Sequence, residues 1–350
     1  MRNEHGLLLG TILLAVAASC SEDNTTVPPA TADSSTDSRS DTTTPTDTLT
    51  TDAPTDTAVE DVSADAGAKS ISLKAVQDPS DPDHPAKNAK VNLTDTDLVA
   101  LTPRVLIGSS SAAECRFAVW IGKPGGGDFA GVQVQELITR GSATNCFGVT
   151  PGKIPSTVKV GDAVTAVDGA NYGEFCAGPS GTPATACGDF EQSQLFLGGA
   201  AAKITFGSAG TAPTPTTVTV ADLVADAAGK PGPRAPKLEG TLVSVAGVKV
   251  DASADGGITT AYVLDASDST GAKKLEIQIS NFTSTSCVRT YFVGKSGSTI
   301  DSITGVLVPD FGRWKIRLRD DKDVSGTSCV TGDAGTDAAS DAASDAADGG

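Results

Sequence analysis

Along the middle of the chain, apolar side chains recur at every second position. Phe117–Ile121, Gly131–Gln135, Val158–Val167, Leu238–Val250, Leu275–Ile279, Ser302–Val308 and Trp314–Leu318 all alternate in this way. A two-residue period is that of half-buried β-strands, whose successive side chains point to opposite faces. Helical periodicity is credible only over Ala221–Ala228, which follows a Thr-rich stretch and stops at Gly229. The pattern predicts an all-β body with one short helix.

Different patterns mark the two ends. Residues 1–19 read as a secretory signal, with Arg2 ahead of a twelve-residue apolar run, Leu7 to Ala18. As a helix that run reaches only about 18 Å, against a hydrocarbon core of ~30 Å, so it is too short for a lasting membrane span. Ala17-Ala18-Ser19-Cys20 resembles the lipobox of bacterial lipoproteins, in which small residues precede a cysteine that becomes the acylated N-terminus. The resemblance implies cleavage before Cys20, palmitate-type acylation of its thiol, and attachment to a membrane through the N-terminal lipid. A tether is expected over residues 20–68. Beyond Cys20 it holds no aromatic and only Val27, Leu49, Val59 and Val62 as large aliphatics. Such a segment cannot bury enough apolar surface to offset its ordering entropy. The Asp/Ala/Ser tail, 331–350, is expected to be disordered for the same reason.

The net charge of −17 belongs mostly to these ends: −10 falls in residues 1–68, −5 in 331–350 and only −2 in the 262 residues between. Acidity therefore says little about the partner of the folded body. If Cys20 carries lipid, six cysteines remain: Cys115, Cys146, Cys176, Cys187, Cys287 and Cys329. An even remainder in an exported chain points to disulfides. Six thiols allow fifteen pairings. A sequential set, Cys115 with Cys146, Cys176 with Cys187 and Cys287 with Cys329, keeps each bridge inside one domain.

Two stretches follow one plan. Phe117-Ala118-Val119-Trp120, Gly131-Val132-Gln133-Val134, Val160-Gly161-Asp162-Ala163-Val164 and Val167-Asp168-Gly169-Ala170 are answered by Tyr262-Val263-Leu264-Asp265, Leu275-Glu276-Ile277-Gln278-Ile279, Val293-Gly294, Ile303-Thr304-Gly305-Val306-Leu307 and Phe311-Gly312. A duplicated five-strand unit explains this order. At these residues the chain resembles tandem OB-fold-like domains of the nucleic-acid-binding type, found in bacterial lipoproteins and beside secreted nucleases. The resemblance implies two small OB-like Greek-key barrels, over 69–206 and 236–330, joined by a linker at 207–235 that carries the short helix. A β-sandwich with Greek-key connections would satisfy the same alternation.

Candidate chemistry is sparse. A Ser-His-Asp or Cys-His device needs an imidazole, and the mature chain offers only His84, in Asp81-Pro82-Asp83-His84-Pro85, which reads as a solvated turn. The cysteines lack C-x-x-C spacing, which argues against zinc. Asp251-Ala252-Ser253-Ala254-Asp255-Gly256 opens like a calcium loop but has Tyr262 where a bidentate Glu belongs. Lys123-Pro124-Gly125-Gly126-Gly127 lacks the P-loop pattern and reads as a hairpin turn. Asp162, Asp168, Asp265 and Asp268 read as turn formers. No catalytic residue, metal ligand or cofactor is assigned.

One segment carries binding chemistry. In Arg313-Trp314-Lys315-Ile316-Arg317-Leu318-Arg319 a strand would turn Trp314, Ile316 and Leu318 inward. Arg313, Lys315, Arg317 and Arg319 would then line an exposed face about 6.8 Å apart, able to track phosphates or acidic sugars. The function expected is a non-enzymatic binding or scaffold module of the cell envelope, at an outer membrane and facing the periplasm or the cell surface. Its partner would be an envelope polysaccharide, a protein or nucleic acid. A structural or adhesive lipoprotein and a carboxylate-dependent hydrolase are the alternatives.

The anchor is directly testable. Cys20→Ala removes the acyl acceptor, and with it about 0.8 kcal/mol of membrane affinity per buried CH₂. The variant should incorporate no labelled palmitate and leave the membrane fraction in a high-salt wash; retention there would refute the assignment.

Overall fold

A computed structural model describes residues 67–327, apart from 112, 142, 144, 147, 148, 150, 151, 180–186, 252–259, 280–287, 289–291 and 293–295. The signal, Cys20, nearly all of the tether, most of the calcium-like segment, Cys287, Cys329 and the acidic tail lie outside the described residues. The described residues fall within one compact unit.

The chain is all-β, as its alternation predicts. The first half opens with β1 (Lys69–Ile71) and a one-turn helix, α1 (Leu73–Gln77), whose N-cap Ser72 accepts the Ala75 amide. Two short segments follow, β2 (Lys90–Leu93) and β3 (Val99–Ala100), and then β4 (Val105–Ser111), β5 (Glu114–Gly122) and β6 (Gly131–Thr139). β7 (Asp162–Asp168) bends at Gly169, whose φ of 61° suits a residue without Cβ, and continues as β8 (Ala170–Cys176). β9 (Glu191–Phe196) and β10 (Lys203–Ala209) complete the half. Its pairings run β3–β5–β6–β9–β8–β2, with β6 and β9 parallel, and β7 pairs β3. Because β2 runs on to β3 and β7 to β8, the circuit closes on itself.

The second half opens alike, with β11 (Thr216–Val218) and a one-turn helix, α2 (Val220–Leu223). Then come β12 (Leu242–Val250), β13 (Thr260–Asp265), β14 (Leu275–Gln278), β15 (Thr299–Asp310), β16 (Arg313–Arg317) and β17 (Val324–Ser325). Strands β12, β13, β14, β16 and β15 pair in that order, β14 and β16 are parallel, and β15 pairs back to β12. That is a closed five-stranded barrel. Each half thus has a leading strand parallel to its first barrel strand, a capped single helical turn, and strands in spatial order first, second, third, fifth, fourth.

Local chemistry shifts some boundaries. α2 begins one residue early and ends at Leu223, well short of the predicted Ala228. Thr219 and Asp222 form a reciprocal capping box that starts it. The β-branched Val224 then turns extended and bridges Pro231, and Asp226 draws the following residues into a turn that ends at Gly229 (φ 79°). Sequence patterning also missed α1, too short to display a period. β7 begins at Asp162, not Val158, because the Asp162 carboxylate accepts the Lys159 amide and holds a turn there. β12 begins at Leu242, not Leu238, because Ala235–Leu238 form a 3-10 turn and Gly240 is left-handed, with φ 68°.

Each barrel has its own core, around Ile121, Val134, Tyr172 and Leu195 in the first and Val245, Ile277, Ile303 and Trp314 in the second. A third cluster joins them: Val99, Leu101, Ala118 and Trp120 from outside the first barrel pack on Leu242, Val306 and Val308 from outside the second. β6 is consequently buried on both faces through Glu136. At one edge of this seam two backbones touch, since a Cβ on Gly131 would overlap the Gly240 carbonyl and lie 2.8 Å from the Thr241 nitrogen. Nearby, Arg234 pairs with Asp128 at 3.1 Å and Phe129 N donates to Lys237 O at 2.5 Å.

Backbone lies on both sides of that contact, so nothing flexible can give way. Gly131→Ala should lower stability by about 1–3 kcal/mol, read as a fall in the urea midpoint. An unchanged midpoint would show that the two backbones do not meet.

Candidate functional site

β16 alternates as predicted, with Trp314, Ile316 and Leu318 in the second core. Its other face departs from expectation. Lys315 and Arg317 are each only 6% exposed, so the four cations are not a solvated stripe. The first barrel, the Phe311 ring and the acids beside the strand cover that face. Lys315 reaches Glu276 at 2.9 Å and Asp310 at 3.1 Å. Arg313 lies 3.8 Å from Glu276, and Arg319 pairs with Asp323 at 2.6 Å.

Arg317 is different. Among the described residues no carboxylate pairs with it. Its Nη1 donates to Gln278 Oε1 at 3.2 Å and its Nη2 to Leu106 O at 3.4 Å, while its Nε finds no partner. The guanidinium carbon stands 5.2 Å from the Trp120 ring centroid. Burial pushes its pKa down to about 10, only partly offset by Asp310, so it stays cationic at neutral pH.

Arg317 lines a cleft of about 270 Å³ between the barrels, with Trp120, Gln133, Gln192, Gln194, Phe175 and Phe311 among its walls. Strand register explains the grouping: Gln133 stands opposite Trp120 on one side and Gln194 on the other, and Phe175 stands opposite Gln192. The amides are linked. Gln135 Nε2 donates to Gln194 Oε1, and Gln194 Nε2 donates to Gln133 at 3.3 Å and to Gln192 at 3.1 Å. Two large apolar rings stand in water beside them, Phe175 at 46% and Phe311 at 71% exposure.

A second pocket, about 190 Å³, gathers ionisable groups: His84, Tyr172, Glu174, Asp189, Glu191 and Glu239. His84 is not the solvated turn residue expected. Its Nδ1 lies 2.9 Å from Ala75 O, its Nε2 3.2 Å from the Tyr172 hydroxyl, and its ring edge-on to Tyr172. Tyr172 in turn donates to Glu174 at 3.1 Å. Glu239 is buried, accepts the Ser193 amide at 3.0 Å, and has its pKa raised by burial and by the negative charge of Glu174. Burial likewise raises the Tyr172 hydroxyl.

Cys115–Cys146 and Cys176–Cys187 form bridges, with Cα–Cα separations of 5.6 and 5.4 Å, as in the sequential set. The second ties down the end of the β8–β9 ladder that carries Phe175 and Gln192. Asp268 is a turn former, accepting from Thr270 N and Oγ1 and from Gly271 N. The Lys123–Gly127 loop joins β5 to β6, and it is pinned, since Gly127 N donates to Thr216 Oγ1 at 2.8 Å. Among the described residues no group of three or more His, Cys, Asp or Glu side chains could hold a metal ion, and no helix is long and apolar enough to cross a membrane.

No protein-family model matches the sequence, and no curated protein matches it.

The cleft glutamines and the Glu174–Glu239 pair escaped sequence analysis because their partners are distant in the chain. One signal was available: Gln133, Gln135, Gln192 and Gln194 occupy alternate positions in two strands where solvent-facing residues would more often be charged.

The Glu239 carboxyl gives a signed pH prediction. Unfolded, it titrates near its ordinary 4.5; folded, it holds its proton to higher pH. Stability therefore falls as pH rises above about 4.5, and the deficit is complete above the folded value, at about 1.4 kcal/mol for each pH unit between the two. Glu239→Gln keeps an oxygen for the Ser193 amide. It should match the wild type near pH 4 and melt higher at pH 7–8. A variant that melts lower at pH 7–8 would contradict the elevated pKa.

Proposed function

We propose that the chain is a lipid-anchored cell-envelope protein that binds an oligosaccharide, without catalysing a reaction, in the cleft between two OB-like barrels. The resemblance of Ala17-Ala18-Ser19-Cys20 to a lipobox supports the anchor, and the proposed location is an outer membrane, with the body facing the periplasm or the cell surface. The first, second, third, fifth, fourth strand order with a parallel third–fifth pair supports the OB-like reading, a barrel class that holds oligonucleotides and oligosaccharides. Fold alone does not choose a ligand.

The lining of the cleft carries the choice. Sugars present apolar C–H faces and hydroxyls that both donate and accept; Phe175 and Phe311 suit the former, and the amides of Gln133, Gln192 and Gln194 suit the latter. Nucleic acid is disfavoured, because the 69–330 body carries −2 net charge and most cations beside the cleft are already matched by acids.

Detergent-solubilised full-length protein should bind members of a glycan array and ignore single-stranded DNA. Phe311→Ala and Phe175→Ala should each weaken glycan binding by roughly fivefold to tenfold, on the order of 1 kcal/mol, without lowering the melting temperature. Wild-type binding that survives both changes would move the site elsewhere.

One observation favours the carboxylate-dependent hydrolase as a second reading: Glu239, whose pKa burial raises, shares a pocket with Glu174. That reading requires new reducing ends when bound glycans are incubated with protein, and their loss in Glu239→Gln.

A further inference from the structure

Strand β16 contains its own control. Of its four neighbouring cations, Arg313 and Lys315 meet Glu276, Lys315 also meets Asp310, and Arg319 meets Asp323. Arg317, buried as deeply as Lys315, has no carboxylate within ion-pair distance among the described residues, and Asp310, on the same cleft wall, offsets its charge only in part. Taking a cation out of water without an anion is costly, and buried charges in proteins are ordinarily paired. The unmatched one lines the cleft, is braced by Gln278 and the Leu106 carbonyl, has its guanidinium carbon 5.2 Å from the Trp120 ring centroid, and holds a buried Nε without a partner. A guanidinium fixed in this way is prepared for a planar anion.

We propose that the sugar bound in the inter-barrel cleft carries a carboxylate, as a uronic acid residue does, and that Arg317 is the group that receives it. The proposal rests on the reading of the cleft as a saccharide site. The missing charge is a single negative one, which one carboxylate supplies. Around Arg317 the linked glutamines offer both donors and acceptors, which hydroxyls can use, whereas phosphodiester oxygens only accept. The cleft, of about 270 Å³, is small enough to suit a single sugar ring lying against Phe311 or Phe175. Arg116 lines the same cleft and adds a second cation. The carboxylate of Asp310 is held by Lys315, so it is not free to occupy the guanidinium.

The test uses full-length protein in detergent, a panel of uronate trisaccharides, their neutral methyl esters, and an oligothymidylate. Calorimetry should show at least one uronate binding tenfold or more tighter than its ester. Arg317→Gln should erase that difference, leaving acid and ester equally weak, while the melting temperature holds or rises because an unmatched buried charge has gone. A melting temperature lowered by ten degrees or more would show that Arg317 is structural and overturn the proposal. If Arg317→Gln does not fold, Arg317→Lys decides: affinity for the acid should fall at least threefold with the ester unaffected, and unchanged affinity for the acid overturns it. Equal binding of acid and ester by the wild type overturns the carboxylate while leaving the saccharide reading intact. Tighter binding of oligothymidylate than of any uronate also overturns it, in favour of phosphodiesters. Absence of binding to the panel and to the glycan array together defeats the saccharide reading itself.

Discussion

The architecture depends on an apolar contact made outside both barrels. Each barrel fills its own interior, as small barrels do, and would present a solvated outer face if it stood alone. Here Trp120, Val99 and Leu101 meet Leu242, Val306 and Val308 across the outer surfaces, and the backbones close to touching at Gly131 and Gly240. Side chains that alternation assigns to solvent therefore end up inside. The seam turns the outward positions of β6 and β16 into the walls and floor of a cleft.

Electrostatics follow from that burial. Lys315 and Glu276 are both removed from water, a placement that is tolerable because they face each other. Where the barrels do not quite meet, the same burial encloses Arg317 without an acid and Trp120 Nε1 and Gln135 Oε1 without partners. Unsatisfied buried groups are uncommon in proteins. Three of them, at Arg317, Trp120 and Gln135, lie near one cleft beside two exposed phenyl rings, and others lie away from it, at Gln77, Arg104, Glu136 and Trp314. Phe311, a non-glycine residue held at φ 49°, carries backbone strain while its ring gains little from burial.

Much of the fold was legible in the sequence because strand alternation is a local signal. The inward positions of β5, β6, β14, β15 and β16 are the alternating residues, and the plan shared by the two halves reappears in their common strand order; Val293-Gly294 lies outside the described residues. The two bridges Cys115–Cys146 and Cys176–Cys187 followed from parity and proximity in the chain. What was not legible was which outward positions another barrel covers. Arg317 and Arg319 look alike in sequence; their difference lies in Asp323, four residues on from Arg319, and in Leu106, more than two hundred residues before Arg317. The Glu174–Glu239 proximity is similarly a product of long-range packing. Sequence pattern gives the side of a strand but not what lies against it.

The glutamines of the cleft form a chain with a sense of direction. Gln135 donates to the Gln194 oxygen, and Gln194 donates in turn to the oxygens of both Gln133 and Gln192. Turning every amide over reverses that sense while leaving shape and charge the same. The interior of the chain is indifferent between the two settings, so the choice rests with its ends, one of which is the unsatisfied Gln135 oxygen. A wall of this kind has no fixed hydrogen-bonding polarity: a donor or an acceptor arriving at one end sets which atoms are displayed at the other.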